Sequence, residues 1–253
     1  MVNFDVVGST DKAVAIVEIP ENKNGKEIAR KIMKKNKNIK SVLKKSSERT
    51  SDYRLWKLEL VEGDENTEVI HKEHGYLLKI NPRKVYFSPR EGTERQRIAS
   101  QVKENEIIML MFAGIGAYAV AIAKKQPNVK KIIAIELNPE GVQYMKENIR
   151  INKISHLVLP IEGDVREKAR DFFGKCDRVI MPLPLEAENF LDIAVKCLKK
   201  NGIINFYSIS SEKDFNDVIE KIKKRIKNFK ILNKRIVLPY APSKYKVCID
   251  IVT

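Results

Sequence analysis

A glycine-rich turn follows a short apolar run near the middle of this 253-residue chain. It reads Phe112-Ala113-Gly114-Ile115-Gly116-Ala117 and opens a segment with helical periodicity. Glycine lets the backbone turn sharply and approach a ligand without a Cβ clash, and the start of a helix offers free N–H groups. Glu136 ends the next apolar run, twenty residues after Gly116, where a carboxylate can bind both hydroxyls of a ribose. These residues predict a site for a nucleotide-like cofactor.

The glycine turn by itself leaves two cofactors open, because Gly114, Gly116 and Ala119 also fit the NAD fingerprint. Two later features favour S-adenosylmethionine (AdoMet). The stretch Glu162-Gly163-Asp164-Val165 closes the third apolar run, where methyltransferases place a carboxylate near the adenine amino group. The stretch Pro182-Leu183-Pro184 follows the fourth run, where base-modifying methyltransferases place a proline-containing loop that faces the target base. Asp164 also fits a helix N-cap, and the two roles can coexist.

Strand-length apolar runs alternate with helical segments from Glu106 onward. The runs cover residues 107–112, 131–136, 157–162, 178–181 and 203–208. This alternation predicts an α/β, Rossmann-like domain with a doubly wound, mostly parallel sheet. Two final runs, 229–238 and 245–252, predict a closing hairpin, which a plain dinucleotide-binding fold does not need. We therefore expect a class I AdoMet methyltransferase domain with seven strands over residues 85–253.

The first 84 residues have a different organisation. Short strand-like runs near residues 4–19, 55–61, 67–71 and 76–80 surround one amphipathic helix at 25–37. We expect them to form a small, basic α+β domain that binds RNA.

Positive charge is concentrated in two segments of the chain, whose net charge is +15. Residues 23–57 contain thirteen Lys and Arg against three acidic residues, and residues 221–235 contain eight and none. Solvated lysine faces are the alternative explanation. Two concentrated patches favour a polyanionic partner, because each neutralised phosphate releases counterions.

Other classes of protein are disfavoured by the composition. Hydrophobic residues make up 43% of the chain, which is enough for a core, but no uncharged apolar run reaches the length of a membrane-spanning helix. The N-terminus lacks the layout of a signal peptide. Cys176, Cys197 and Cys248 are far apart and are expected to be thiols in a reducing cytoplasm. The histidines, cysteines and acids form no metal-ligand spacing, so we expect no metal.

Three stretches together resemble the archaeal and eukaryotic tRNA guanine-37 N1-methyltransferase family. They are Val85-Tyr86-Phe87-Ser88-Pro89-Arg90 followed by Glu94-Arg95, then Met111-Phe112-Ala113-Gly114-Ile115-Gly116, and Arg178-Val179-Ile180-Met181 before the proline loop. The resemblance runs from Phe4 to Val252. It implies an enzyme that transfers the AdoMet methyl group to N1 of guanosine 37 and binds the anticodon stem-loop of tRNA, and we expect a monomer. The extra N-terminal tRNA-recognition domain of many archaeal members is not expected here.

The resemblance also implies roles for individual residues. Glu94 would be the general base that takes the proton from guanine N1, and Arg54 would donate to guanine O6 as negative charge develops there. Arg95 would bind the AdoMet carboxylate or a tRNA phosphate, and Pro182 would line the catalytic pocket. The full set of expected cofactor-binding residues is Arg95, Phe112, Gly114, Gly116, Glu136, Leu137, Asp164, Val165, Pro182 and Leu183. Purely structural roles are the alternative, since a glutamate near a helix start also interacts favourably with the helix dipole.

The chain departs from the family pattern at three positions. Leu110 replaces an aspartate, Ala117 replaces a frequent proline, and Pro182 replaces an asparagine that would donate a hydrogen bond to the base. The Pro-Leu-Pro form resembles the archaeal branch linked to wyosine synthesis, in which some enzymes also methylate C7 of 4-demethylwyosine. Two other functions stay open, an aminocarboxypropyl transferase of the wyosine pathway and an RNA-binding protein without catalytic activity.

Overall fold

The computed structural model describes residues 2–46, 55–211 and 215–253. The strands are β1 (Phe4–Gly8), β2 (Ala13–Val17), β3 (Ile39–Lys45), β4 (Leu58–Gly63), β5 (Val69–Glu73), β6 (Tyr76–Ile80), β7 (Ile107–Met111), β8 (Lys131–Glu136), β9 (Val158–Glu162), β10 (Cys176–Met181), β11 (Leu198–Ser210), β12 (Lys230–Ala241) and β13 (Lys244–Val252). The α-helices are α1 (Gly25–Lys35), α2 (Gly92–Gln101), α3 (Ala117–Lys125), α4 (Pro139–Ile151), α5 (Val165–Lys168), α6 (Leu191–Cys197) and α7 (Asn216–Lys223).

The N-terminal sheet has four strands in the order β1-β2-β3-β4. The expected hairpin forms between β1 and β2, and α1 then connects β2 to the parallel strand β3. The Asn24 side chain caps α1 by accepting from the Glu27 N–H. The helix buries Ala29 and Ile32 against the sheet, and the Asn36 N–H closes its last turn on the Ile32 carbonyl. Strand β3 was not predicted, because its lysines hide the apolar alternation.

The second sheet has seven strands in the order β12-β13-β11-β10-β7-β8-β9. Strands β9, β8, β7, β10 and β11 are parallel, whereas β13 is antiparallel to both β11 and β12. The predicted mostly parallel, seven-stranded Rossmann-like sheet with a closing hairpin is therefore confirmed. Its central strands are apolar on both faces, as expected for strands covered by helices on both sides.

Alternate residues of β7 enter two different cores. Ile108 and Leu110 belong to a core shared with α2, α3 and α4, and Met109 and Met111 belong to one shared with α6 and α7. Leu110 is fully buried, so the side chain that replaces the family's aspartate packs as an ordinary core residue.

Hairpin β5-β6 packs against the second sheet through α4. The side chain of Asn148 on α4 accepts from the Lys79 N–H and donates to the Lys79 carbonyl, and Asn152 does the same with Leu77. These amide side chains thus bond to β6 as the backbone of a neighbouring strand would. The hairpin thus joins the N-terminal residues to the C-terminal sheet. The domain division at residue 84 stays a prediction.

The direction of strand succession reverses between β7 and β10, since β8 and β9 follow on one side and β11 on the other. In open α/β sheets, ligands bind beyond the carboxyl ends of the strands at such a reversal. The fold therefore locates the candidate site where the glycine turn leaves β7 and the proline loop leaves β10. No helix in the described part of the chain has the length and apolar character needed to cross a membrane.

Candidate functional site

The glycine turn between β7 and α3 is held by backbone hydrogen bonds. The Ala113 N–H donates to the Ile135 carbonyl of β8 at 2.9 Å, and the Gly116 N–H donates to the Ala113 carbonyl at 2.9 Å. Phe112, Gly114 and Gly116 all have positive φ, at 58°, 56° and 78°. Glycine adopts this conformation without steric cost, whereas Phe112 has to be held in it by its surroundings.

Glu136 locks the turn to the end of β8. Its Oε2 accepts from the Gly114 N–H at 2.6 Å and its Oε1 accepts from the Asn138 N–H at 2.8 Å. Burial raises the pKa of the Glu136 carboxyl, while the N–H groups of Asn138, Gly114 and Leu137 act in the opposite direction. Each carboxylate oxygen keeps a lone pair that can accept a further hydrogen bond, so ribose hydroxyls can bind on the outer side.

The space above the turn is open. A Cβ added at Gly114 would meet only the Tyr86 carbonyl oxygen, at 3.9 Å, within 4 Å. At Gly116 the same atom would come within 2.8 Å of the Met145 Cγ on α4. Gly114 therefore leaves room for a ligand, and Gly116 lets two helices pack closely. Leu137, directly after Glu136, is 44% exposed and offers an apolar surface beside this space.

Asp164 caps α5. Its side chain accepts from the Arg166 N–H at 2.6 Å, and the neighbouring Val165 is buried. The structural role considered from the sequence is thus present, with the carboxylate still partly exposed. A role in binding a cofactor stays a prediction.

The proline loop follows β10 beside the glycine turn. Leu183 packs partly buried against the second core, in the same cluster as Phe112. The Phe112 ring makes an edge contact with Phe190, with 4.9 Å between the ring centroids. Phe112 and the loop of Pro182 and Leu183 therefore line adjoining parts of one edge of the sheet.

Glu94 lies in the first full turn of α2 with 3% of its side chain exposed. Arg97 donates to both of its oxygens, at 2.9 and 2.7 Å. The Tyr207 hydroxyl donates to Glu94 Oε1 at 2.6 Å. That hydroxyl in turn accepts from the hydroxyl of Tyr118 on α3, at 3.2 Å.

The register of the sheet places Glu94 at the same edge as the proline loop. Met181, the residue before Pro182, pairs with Phe206 of β11, so Tyr207 is level with Pro182. Tyr118 lies two residues beyond Gly116. Glu94 is therefore hydrogen-bonded to Tyr207, on the strand beside β10, and through it to Tyr118, in the helix that follows the glycine turn.

A charged interface between α2 and the terminal hairpin was missed by sequence reasoning. Lys246 donates to Glu91 at 2.8 Å, with both side chains almost fully buried, and Arg97 donates to Asp250 at 2.5 Å. Lys246 and Asp250 occupy alternate positions of β13 with Cys248 between them, so they share one face. That alternation within a buried apolar strand is the signal that the sequence offers.

Arg95, the residue after Glu94, is paired with Glu73 of β5. It is buried, and it donates to both oxygens of Glu73, at 2.8 and 2.5 Å, and to the Ser88 carbonyl at 3.1 Å. Its guanidinium carbon lies 4.8 Å from the centroid of the Phe87 ring. Its predicted contact with a cofactor or phosphate remains untested.

Two further predictions concern Arg54 and the basic segment at α1. Arg54 lies outside the described residues. The lysines and arginines of α1 are exposed opposite Ala29 and Ile32, and they form a basic face made of Lys26, Arg30, Lys31, Lys34 and Lys35. Within the described ranges, no three His, Cys, Asp or Glu side chains are grouped to hold a metal ion.

The sequence matches known proteins over nearly its whole length. Residues 69–233 match the family described as TRM5/TYW2 methyltransferase domain. The chain is 39% identical over 255 residues to the tRNA (guanine(37)-N(1))-methyltransferase Trm5b of Pyrococcus abyssi, covering 98% of this chain and 74% of that relative. It is 32% identical over 251 residues to the tRNA 4-demethylwyosine(37)-methyltransferase Taw21 of Saccharolobus solfataricus, covering 98% and 92%.

The fold matches solved structures of the same kind. The structure described as the complex of aTrm5 and tRNALeu superposes with a TM-score of 0.88 at 38% sequence identity. The match covers 99% of this chain and 71% of that one.

Proposed function

This chain belongs to the TRM5/TYW2 methyltransferase family, and from that premise we propose that it transfers the methyl group of AdoMet to N1 of guanosine 37 in tRNA. The observation that carries the proposal is the position of Glu94. A buried carboxylate is linked through Tyr207 and Tyr118 to the edge where the glycine turn and the proline loop meet. A carboxylate at that position can act as a general base and take a proton from a purine held against the proline loop.

The residues around the glycine turn fit AdoMet. The open space above Gly114 and the Glu136 carboxylate match a ribose, and the exposed Leu137 matches an adenine face. In this proposal the binding site is completed by Phe112, Gly114, Gly116, Asp164, Val165, Pro182 and Leu183. Arg95 releases Glu73 and binds the carboxylate of AdoMet instead. When bound, AdoMet supplies the electrophilic methyl group.

Glu94 removes the N1 proton of the guanine as N1 attacks the methyl carbon. Arg97 and Tyr207 hold the carboxylate of Glu94 so that one lone pair faces the base. Arg54 donates to O6, which gains negative charge during the transfer. Pro182 packs against the base without donating a hydrogen bond.

The basic surfaces bind the RNA. The exposed face of α1 and the exposed residues Lys223, Lys224, Arg225 and Lys227 contact phosphates of the anticodon stem. The target base has to leave its stack to reach Glu94. We place this activity in the cytoplasm and assign it to a monomer.

The test is methyl transfer from labelled AdoMet to an unmodified tRNA transcript with guanosine 37, with the modified nucleoside identified by mass spectrometry. Glu94→Gln should slow transfer at least about 10²-fold while the Kd values for AdoMet and tRNA change less than about twofold. Glu104→Gln, an exposed glutamate outside the site, is the matched control. If both affinities collapse in Glu94→Gln, Glu94 is structural. If the wild-type protein binds no AdoMet, it is not an enzyme of this kind.

A second activity is favoured by Pro182. A loop without a donor toward the base suits the larger tricyclic base 4-demethylwyosine, and the Taw21 relative is named for methylating that base. The same assay with tRNA that carries 4-demethylwyosine separates the possibilities. Product on both substrates makes the enzyme bifunctional, and transfer of an aminocarboxypropyl group instead of methyl would overturn the proposal.

A further inference from the structure

Arg235 of the terminal hairpin lies beside Glu94. It lies on β12 and pairs with Cys248 of β13, which pairs in turn with Tyr207 of β11. Directly opposed residues of antiparallel strands point to the same face of a sheet. Arg235 therefore shares the face on which Tyr207 bonds to Glu94.

Glu94 has two arginine neighbours, Arg97 and Arg235, and they differ in the hydrogen bonds that they make. Arg97 donates to both oxygens of Glu94 and to Asp250, and its side chain is 14% exposed. The Arg235 Nε lies 3.6 Å from Glu94 Oε2, which is too long for a hydrogen bond. That Nε is buried and has no hydrogen-bond partner among the described residues.

Arg235 is also the neighbour that extends toward solvent. Its side chain is 37% exposed, against 3% for Glu94. A guanidinium presents five donors in a fixed planar fork. Arg235 thus has a buried Nε beside Glu94 and further N–H donors that a bound substrate can reach.

The charges around Glu94 favour a negative charge beside Arg235 once Glu94 has taken the N1 proton of the guanine. Glu94 and Asp250 balance Arg97 and Arg235 before the transfer. A proton on Glu94 leaves Arg97 paired with Asp250, and Arg235 then lacks a counter-charge. An uncompensated cation in such a partly buried place stabilises negative charge that develops next to it.

We propose that Arg235 is a catalytic residue that donates to O6 of the target guanine during methyl transfer, as a second donor beside Arg54; this inference rests on the proposed function. A carbonyl oxygen has two lone pairs and can accept from both. The N1 proton moves to the Glu94 carboxylate, and the N1 electron pair forms the bond to the methyl carbon. The electrons of the broken carbon–sulfur bond return to sulfur, which gives S-adenosylhomocysteine and a neutral methylated base. Arg235 stays protonated and stabilises O6 while that oxygen is negative.

The experiment compares single-turnover methyl transfer to guanosine-37 tRNA, at saturating tRNA and AdoMet, in the wild-type protein, Arg235→Gln and Arg235→Lys. Arg150→Gln is the matched control, because Arg150 is exposed on α4 away from the site. We expect Arg235→Gln to slow the rate constant about 10²-fold, the effect of removing one donor to a developing oxyanion. Lysine should restore part of the rate, since it returns the charge without the planar fork.

Affinity and folding measurements separate this role from others. The tRNA Kd of Arg235→Gln should stay within about threefold of wild type, and its thermal unfolding should match that of Arg150→Gln. A rate constant equal to that of the control at saturating tRNA, even with a weakened tRNA Kd, overturns the catalytic role while leaving the proposed function standing. A wild-type protein that transfers no methyl group to guanosine 37 overturns the proposed function, and the role of Arg235 falls with it.

Discussion

Replacing Glu73 by glutamine removes the carboxylate that binds the buried Arg95 of helix α2. Burial raises the pKa of Glu73, but hydrogen bonds from Arg95, His71 and Tyr76, together with the charge of Arg95, outweigh it and lower that pKa to about 2 from an ordinary 4.5. Because the folded-state pKa is the lower one, ionised Glu73 stabilises the fold above pH 4.5. That contribution is lost as the pH falls toward 2.

The size of the effect follows from the shift. At 1.36 kcal/mol per pKa unit, Glu73 contributes about 3 kcal/mol at pH 7 and about 1 kcal/mol at pH 3. Glu73→Gln should therefore destabilise the protein about 2 kcal/mol more at pH 7 than at pH 3. Leaving Arg95 buried without its partner adds a further cost that is the same at both pH values.

The assay is denaturant unfolding of wild type and Glu73→Gln at pH 7, 5, 4 and 3. Glu104→Gln, which replaces an exposed glutamate, corrects for loss of a surface charge. A destabilisation by Glu73→Gln that is equal at pH 7 and pH 3 would refute the reasoning, because the ionised form would then have no special stability in the fold.

Three further outcomes are expected. Tyr207→Phe removes the hydroxyl at 2.6 Å from Glu94, and it should cost about 1.5–3 kcal/mol in the free energy of unfolding and slow methyl transfer without changing the AdoMet Kd; an unchanged rate would contradict the positioning role. Gly116→Ala should lose more stability than Gly174→Ala, since both have positive φ (78° and 69°) but only at Gly116 would the new Cβ approach Met145, at 2.8 Å; equal losses by thermal unfolding would argue against the close packing of α3 and α4. Glu136→Gln should weaken AdoMet binding at least about tenfold by calorimetry, because an amide can accept from only one of the two N–H groups that the carboxylate satisfies, and an unchanged Kd would remove Glu136 from the cofactor site.

Much of the fold could be predicted because it depends on local periodicity. Strands β8 and β6 match their predicted bounds of 131–136 and 76–80, and the other predicted strands differ at their ends. The terminal turn is shorter than expected, since β12 continues through Pro239 to Ala241. An edge strand tolerates proline, because an N–H on its outer side needs no partner strand. Strand β3 escaped prediction, because Lys40, Lys44 and Lys45 obscure a pattern that burial beside β2 reveals.

The sequence by itself determined that the glycine turn and Glu136 lie at one edge of the sheet. A glycine turn after a buried strand and an acidic residue at the end of the next strand need only local chain geometry to meet, so Gly114 and Glu136 could be paired in advance. The choice of partners around Glu94 was decided only by the tertiary structure. Arg235, Cys248 and Tyr207 are aligned by the register of three antiparallel strands, and a shift by one residue would turn each side chain to the opposite face. The pairing of Arg95 with Glu73 likewise depends on how hairpin β5-β6 packs against α2, and its expected contact with a ligand stays a prediction. Periodicity predicts which face of an element is buried, whereas ion-pair partners depend on how distant elements dock.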